Sequence, residues 1–259
     1  MDLPGDEATF DRLIELGAVD AERQPDGTLA ALMPDSVAPE QLAGVLGIEN
    51  LTVSAVPGRD AGSVWVLDIR PVQIGRLRII PAAVPARPGD LRLVESAAFG
   101  TGLHPTTRLC LEILDDIIQA SRPQAMLDVG TGSGILALAA LRLGVPRATG
   151  IDIDAQAIAA AAENARVNQL DRRLRLATGG PDAIDGTWPL VVANVLAAPL
   201  IEMAPALVRR VGHHGHLVLS GIPSAAHEEV GRAYRQLGMR PLHTGSSGTW
   251  TAQVLSASW

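Results

Sequence analysis

Three glycines, Gly130, Gly132 and Gly134, follow directly on a short apolar run, Met126-Leu127-Asp128-Val129. A second apolar run further on, Gly150-Ile151, ends on the carboxylate of Asp152. Glycines in such a turn let the backbone approach a ligand closely. A carboxylate at the tip of the next strand can accept hydrogen bonds from ribose hydroxyls. The spacing therefore points to a nucleoside pocket. Asp154, two residues beyond, is placed to cap the helix that follows. Asn194 closes another apolar run, Val191-Val192-Ala193, and so stands at a strand end, where ligands bind in open α/β sheets.

Two nucleoside classes compete for the pocket. The dinucleotide pattern is G-x-G-x-x-G, with pyrophosphate at a helix N-terminus. Here the third glycine comes one residue early, giving G-x-G-x-G. That spacing, the Ile135-Leu136-Ala137 that follows it, and the way the chain ends favour S-adenosylmethionine over a nicotinamide dinucleotide.

Positioning these groups requires a sheet with helices on both faces. From residue 104 onward, strands and helices alternate. A helix over 105–120 carries Cys110, Ile113, Leu114 and Ile117 at helical spacing. Strands are expected at 126–129, 148–152, 174–177, 190–193 and 216–220. Helices are expected at 135–143, 155–168, 197–210 and 224–237. The end differs: strands at 239–244 and 250–255 are separated only by Gly245-Ser246-Ser247-Gly248, which predicts an antiparallel hairpin at the sheet edge. Upstream, a helix over 6–17, strands at 18–23 and 28–33, a helix over 38–46 and a strand at 50–56 suggest a small α+β domain over residues 1–57. Residues 58–95 read as a linker region punctuated by proline and glycine, with strands at 64–69 and 76–81. Residues 96–259 form the main domain.

Composition sets the outer bounds. The chain has 259 residues, 47% of them hydrophobic, so it can bury a sizeable core. Only 3% are aromatic, so that core must be built from aliphatic residues. The single cysteine, Cys110, forms no internal disulfide, and no Cys/His pattern has zinc spacing; a reducing cytoplasm is the expected setting. His213, His214 and His216 cluster, but no carboxylate or cysteine stands at ligand spacing, so they read as an exposed turn and no metal is expected. The acidic N-terminus lacks the apolar run of a signal peptide, and Ile135–Leu141 is too short to span a bilayer, so no membrane association is expected. The net charge of −7 argues against direct nucleic-acid readout and suits a basic protein partner. All 21 basic residues are arginine; nucleotide bias accounts for this more simply than avoidance of self-modification.

Two further segments narrow the reading: Phe99-Gly100-Thr101-Gly102-Leu103-His104-Pro105-Thr106-Thr107 and Val191-Val192-Ala193-Asn194-Val195-Leu196-Ala197. With Asp128-Val129-Gly130-Thr131-Gly132-Ser133-Gly134 and Gly150-Ile151-Asp152-Ile153-Asp154, they resemble the bacterial ribosomal protein methyltransferases of the PrmA type, over about residues 65–255. The resemblance implies a seven-stranded, Rossmann-like class I methyltransferase sheet with an antiparallel last strand, plus a small N-terminal α+β domain that recognises substrate. It implies S-adenosylmethionine as cofactor, bound by Thr107, Gly130, Gly132, Asp152 and Asn194. It implies methylation of amino groups, lysine side chains and/or the N-terminal amine, on protein eleven of the large ribosomal subunit; the alternative is an enzyme of the same fold acting on another protein lysine or a small amine. Asn194 is expected to orient the amine, and Phe99, His104 and Leu196 to face the substrate. Thr107 could instead cap its helix, and His104 is expected to fix its loop rather than relay a proton. Enzymes acting on base or glutamine amides resemble Asn/Asp-Pro-Pro-Tyr at the Asn194 position. Asn194-Val195-Leu196-Ala197 has no proline pair and no aromatic to stack a flat amide, which favours an aliphatic amine.

Overall fold

A computed structural model describes residues 13, 18, 20–23, 29–32, 72–94 and 104–259. The chain divides into two compact units, Met1–Asp68 and Ile69–Trp259. In the first, β1 (Asp20–Arg23) pairs antiparallel with β2 (Leu29–Leu32), Asp20 opposite Leu32. Leu13 is helical and buried. The rest of the expected helix over 6–17, the helix over 38–46 and the strands at 50–56 and 64–69 lie outside the described residues.

The second unit is built on a seven-stranded sheet. Its strands are β6 (Ala125–Val129), β7 (Arg147–Asp152), β8 (Leu174–Thr178), β9 (Trp188–Asn194), β10 (Val211–Pro223), β11 (Met239–Ser247) and β12 (Trp250–Ala257), in the order β11-β12-β10-β9-β6-β7-β8. β6 through β10 run parallel, while β12 is antiparallel to both β10 and β11. The central strands are buried on both faces: Leu190 to Ala193 are all 0% exposed. That burial is why they read as continuous apolar runs rather than alternating ones. The covering helices are α1 (Pro105–Ser121), α2 (Ile135–Arg142), α3 (Ala155–Val167), α4 (Ala197–Glu202), α5 (Ala204–Arg210) and α6 (His227–Gln236). α2 is apolar all round and every residue from Ile135 to Leu141 is buried, as that composition requires.

Three elements depart from the pattern read in the sequence. The single helix expected over 197–210 is two helices that meet at Met203, because Pro205 lacks the N–H that would continue the first. The turn expected at Gly212–Gly215 lies inside a longer β10: Val211 pairs with Trp188 and His216 with Leu190, so the intervening residues loop out of the ladder. His214 takes φ 52 there, and a Cβ on Gly215 would sit 2.9 Å from the Gly212 carbonyl oxygen. The closing hairpin is longer than expected: Gly245, Ser246 and Ser247 stay paired to Ala252, Thr251 and Trp250, and the turn is Gly248-Thr249, with Gly248 at φ 56.

Residues 72–94, within the span read as a linker region, form a three-stranded sheet that groups with the large sheet. β3 (Val72–Ile74) and β4 (Leu77–Pro81) are antiparallel, and β5 (Leu91–Leu93) runs parallel to β4. Side chains of the larger sheet's helices hold it at both ends. Asp115 of α1 accepts hydrogen bonds from the Arg76 backbone at 2.9 Å and its Nε at 2.7 Å, at the β3–β4 turn. Asn168, at the end of α3, accepts from Arg92 N–H and donates to Arg92 C=O, occupying the β5 edge as another strand would.

Candidate active site

The strand order reverses between β6 and β9, and the crevice at their carboxyl ends is where open α/β sheets bind ligands. The glycine turn leaves β6 there. Gly130, Gly132 and Gly134 all have positive φ (71, 53 and 82), a region that costs residues with a Cβ about 1–2 kcal/mol. A Cβ on Gly130 would also fall 2.5 Å from the Val195 side chain. The Gly130 and Thr131 N–H groups both donate to Ile151 C=O, which locks the turn to the end of β7.

Side chains hold the turn from separate directions. Asp152 Oδ2 accepts from Gly132 N–H at 2.9 Å, and its Oδ1 accepts from Asp154 N–H at 3.0 Å. Both bonds fix the carboxylate at the strand tip, partly open to solvent. Asp154 caps α3, as its position suggests, by accepting from Gln156 N–H. Asp128, fully buried beneath the turn, accepts from Thr131 Oγ1 at 2.7 Å and Ala137 N–H at 3.2 Å. Burial pushes its carboxyl up to about 7, and Oδ1 has no partner among the described residues.

On the other side of the crevice, Asn194 ends β9. It is 9% exposed, and its Nδ2 donates to Thr107 Oγ1 at 3.3 Å. That bond leaves the amide oxygen available as an acceptor. Thr107 is fully buried, accepts that bond, and is not the N-cap of α1. The cap is His104, whose Nδ1 accepts from Thr106 N–H at 3.3 Å and lies 2.7 Å from Thr106 Oγ1. Behind Asn194, Val195 N–H donates to Ser220 C=O and Ser220 Oγ donates to Thr106 C=O, tying the end of β9 through β10 to the first turn of α1. Leu196 is 65% exposed at the start of α4. Phe99 lies outside the described residues. Thr107 and Asn194 thus touch directly, while Gly132 and Asp152 make a second bonded pair. The Gly130–Val195 approach joins the two sides.

Several neighbours of the site went unsingled in the sequence. Ile153 is 83% exposed next to Asp152, a β-branched apolar side chain left in solvent at the crevice. Trp250 is buried, packs edge-on against the His104 ring with centroids 5.2 Å apart, and its indole N–H has no partner among the described residues. Gly221 sits with φ 82 against the Val195 carbonyl. The Asp128 signal was visible as a lone carboxylate in an apolar strand. Those of Trp250 and Gly221 were not, because both act across strands distant in sequence. Cys110 is buried beside Ser220 and burial pushes its thiol up to about 12, which makes it a poor nucleophile. Among the described residues, no three His, Cys, Asp or Glu side chains are grouped to hold a metal ion. No helix of the described residues is long and apolar enough to cross a membrane.

Burial lowers the His104 pKa to about 4 from 6.5, so its ring is neutral near pH 7, the form that can accept the Thr106 bond. Between those values the unfolded chain binds the proton more readily than the folded one. Stability tied to this group is therefore complete above about pH 6.5, falls with acidification and levels off near pH 4, after a loss of at most about 3 kcal/mol. Asp128 acts with the opposite sign, because a raised carboxyl pKa loses stability as pH rises through about 7. His104→Asn keeps a capping acceptor and removes the titration. Its unfolding midpoint, followed from pH 7 to pH 4, is expected to fall less steeply than the parent's. Identical profiles would remove His104 from this account.

Comparison with known proteins places this geometry in a family. The family model described as Ribosomal protein L11 methyltransferase (PrmA) matches residues 26–257. A ribosomal protein L11 methyltransferase of Pelobacter propionicus is 40% identical over 217 residues, covering 81% of this chain and 70% of its own. That of Chromohalobacter salexigens is 43% identical over 217 residues, covering 81% and 68%. Among solved structures, a ribosomal protein L11 methylase from Lactobacillus delbrueckii subsp. bulgaricus superposes with a TM-score of 0.65 at 30% identity, covering 71% of this chain and 96% of its own.

Proposed function

The chain belongs to the ribosomal protein L11 methyltransferase (PrmA) family, and from that premise we propose that it transfers methyl groups from S-adenosylmethionine to amino groups of ribosomal protein L11 in the cytoplasm. The acceptors are lysine side chains, the N-terminal amine, or both. The observation that carries this reading is the convergence of the glycine turn, Asp152 and the Thr107–Asn194 pair on one crevice at the strand-order reversal.

The residues present suit the cofactor. The glycines leave room for close backbone approach, Asp152 offers a held carboxylate to ribose hydroxyls, and Ile153 offers an apolar face to a base. When bound, S-adenosylmethionine supplies a methyl group on a sulfonium that carries its own leaving group. The protein's tasks are then to orient the acceptor nitrogen and to exclude water. Such positioning is worth roughly 7–11 kcal/mol of the barrier.

Asn194 is the residue assigned to orientation. Its Nδ2 is committed to Thr107, so its oxygen accepts from the incoming amine. A lysine with an ordinary pKa of about 10.4 must reach the crevice neutral, and removal from water lowers that pKa. His104 is turned to the α1 cap and the Trp250 ring, so no general base is assigned to it. The run Asn194-Val195-Leu196-Ala197 has no aromatic on which a flat amide could stack, which favours a flexible amine.

Incubating the purified enzyme with S-adenosylmethionine and purified L11, then mapping peptides by mass, tests this reading. Methyl groups on amines are expected, and Asn194→Ala is expected to lower turnover while cofactor affinity stays near the parent's. Methyl groups on glutamine, or an Asn194→Ala variant with full turnover, would contradict it.

A further inference from the structure

The glycine turn has a holder that the proposed chemistry does not use. Asn164 lies on α3, is fully buried, and its side-chain amide bridges two backbones distant in sequence. Nδ2 donates to Ser133 C=O in the turn at 2.9 Å, and Oδ1 accepts from Val94 N–H, just past β5, at 2.7 Å. The two partners are of opposite kind, so the amide can sit only one way round. α3 also approaches the turn closely here: a Cβ on Gly134 would meet Ala161, one helical turn before Asn164, at 3.0 Å. Ser133 is next to Gly132, whose N–H is already bonded to Asp152. The Ser133 carbonyl and the Gly132 N–H thus tie the same turn to α3 on one side and to Asp152 on the other.

We propose that Asn164 is a positioning residue for cofactor binding, fixing the Ser133 peptide of the glycine turn with the Val94 N–H as its own anchor. This rests on the cofactor site proposed above. Asn168, one turn further along, supplies the contrast. It bonds the same strand through Arg92 and returns to Asn164 C=O, but makes no bond to the turn.

Asn164→Asp separates the two kinds of role. The shapes match, and a protonated carboxyl can donate to Ser133 C=O while accepting from Val94. Once ionised, it sets an acceptor against an acceptor, and an unmet buried group of this kind weakens the site by roughly ten- to hundredfold. Among the described residues, the ionisable groups around this region are Asp128 and Asp152 at the turn, Arg92 on β5, and Arg142 on α2, which reaches Asn168 and is acted on by Asp90. All are present in the parent, so the ratio of variant to parent affinity removes their titration.

The experiment is calorimetric binding of S-adenosylhomocysteine to the parent, Asn164→Asp and Asn168→Asp, from acid to alkaline pH within the range where each stays folded. The expected result is an Asn164→Asp affinity close to the parent's at the acid end, falling about ten- to hundredfold as pH rises, with no such step in Asn168→Asp. A ratio that does not change with pH, or the same step in both variants, would overturn the proposal. If Asn164→Asp does not fold, Asn164→Gln replaces it. That variant keeps a donor and an acceptor on a longer stem, so it should bind more weakly with no pH step; parental affinity would overturn the proposal. Failure of the parent itself to bind would instead overturn the cofactor site, and this inference with it.

Discussion

Asp152→Ala is expected to lower affinity for S-adenosylhomocysteine by about a hundredfold or more while the chain stays folded. The carboxylate has two duties. It is the acceptor offered to the ribose hydroxyls, and it receives Gly132 N–H and Asp154 N–H within 3.0 Å. Hydrogen bonds to a charged group contribute about 1.5–3 kcal/mol each, and each 1.4 kcal/mol is a factor of ten. Losing the ribose contacts alone therefore accounts for about a hundredfold, and the freed Gly132 N–H loosens the turn as well. Global stability should change far less, because Asp152 is partly exposed and Asp154 still caps α3. Calorimetry and thermal unfolding of the same preparation check both halves. Affinity within threefold of the parent would remove Asp152 from the ribose site.

Gly221→Ala is expected to damage turnover more than cofactor binding. At φ 82 a Cβ is strained by about 1–2 kcal/mol whatever its surroundings. Here it would also be driven into the carbonyl of Val195, a backbone group that no rotamer change can move aside. Relief requires Val195 to shift, and Asn194 shifts with it. Asp152 stands on β7, away from the collision, and the glycine turn is reached only through the Val195 side chain at Gly130, so Asn194 is displaced most. The predicted signature is a kcat lowered by tenfold or more with S-adenosylhomocysteine affinity changed only severalfold, accompanied by a lower Tm. Gly89→Ala is the control. Its φ is 94, but none of the described residues lies within 4 Å of the added Cβ, so it carries the conformational strain without the collision. Equal effects from both substitutions would show that strain alone, not displacement of Asn194, limits the enzyme.

The sheet and its helices were readable because their signals are local. Apolar runs at 126–129 and 190–193 are strands buried on both faces, and the helix expected over 105–120 matches Pro105–Ser121 within a residue. The glycine turn marks the β6–α2 junction by backbone conformation alone. What escaped depends on partners far away in sequence. Asn164 reads as one polar residue in an alanine-rich helix; only the fold brings Ser133 and Val94 to its two sides. Gly221 reads as an ordinary strand-end glycine until Val195 is seen behind it. His104 holds its loop as expected, by capping α1, but that Thr107 receives Asn194 was not readable, because the two lie 87 residues apart in the chain. The loop-out in β10 escaped for the same kind of reason, since pairing on both sides of Gly212–Gly215 is fixed by β9.

The proposed reaction at this crevice is methyl transfer to amines of ribosomal protein L11. Its most direct test mixes the enzyme with methyl-labelled S-adenosylmethionine and a whole-cell extract lacking endogenous activity, beside the Asp152→Ala variant. The label is expected to enter L11 as the principal acceptor, on amino groups, and Asp152→Ala is expected to leave L11 unlabelled at the same cofactor concentration. Label concentrated in another protein or in a small amine, or labelling of L11 undiminished by Asp152→Ala, would contradict it.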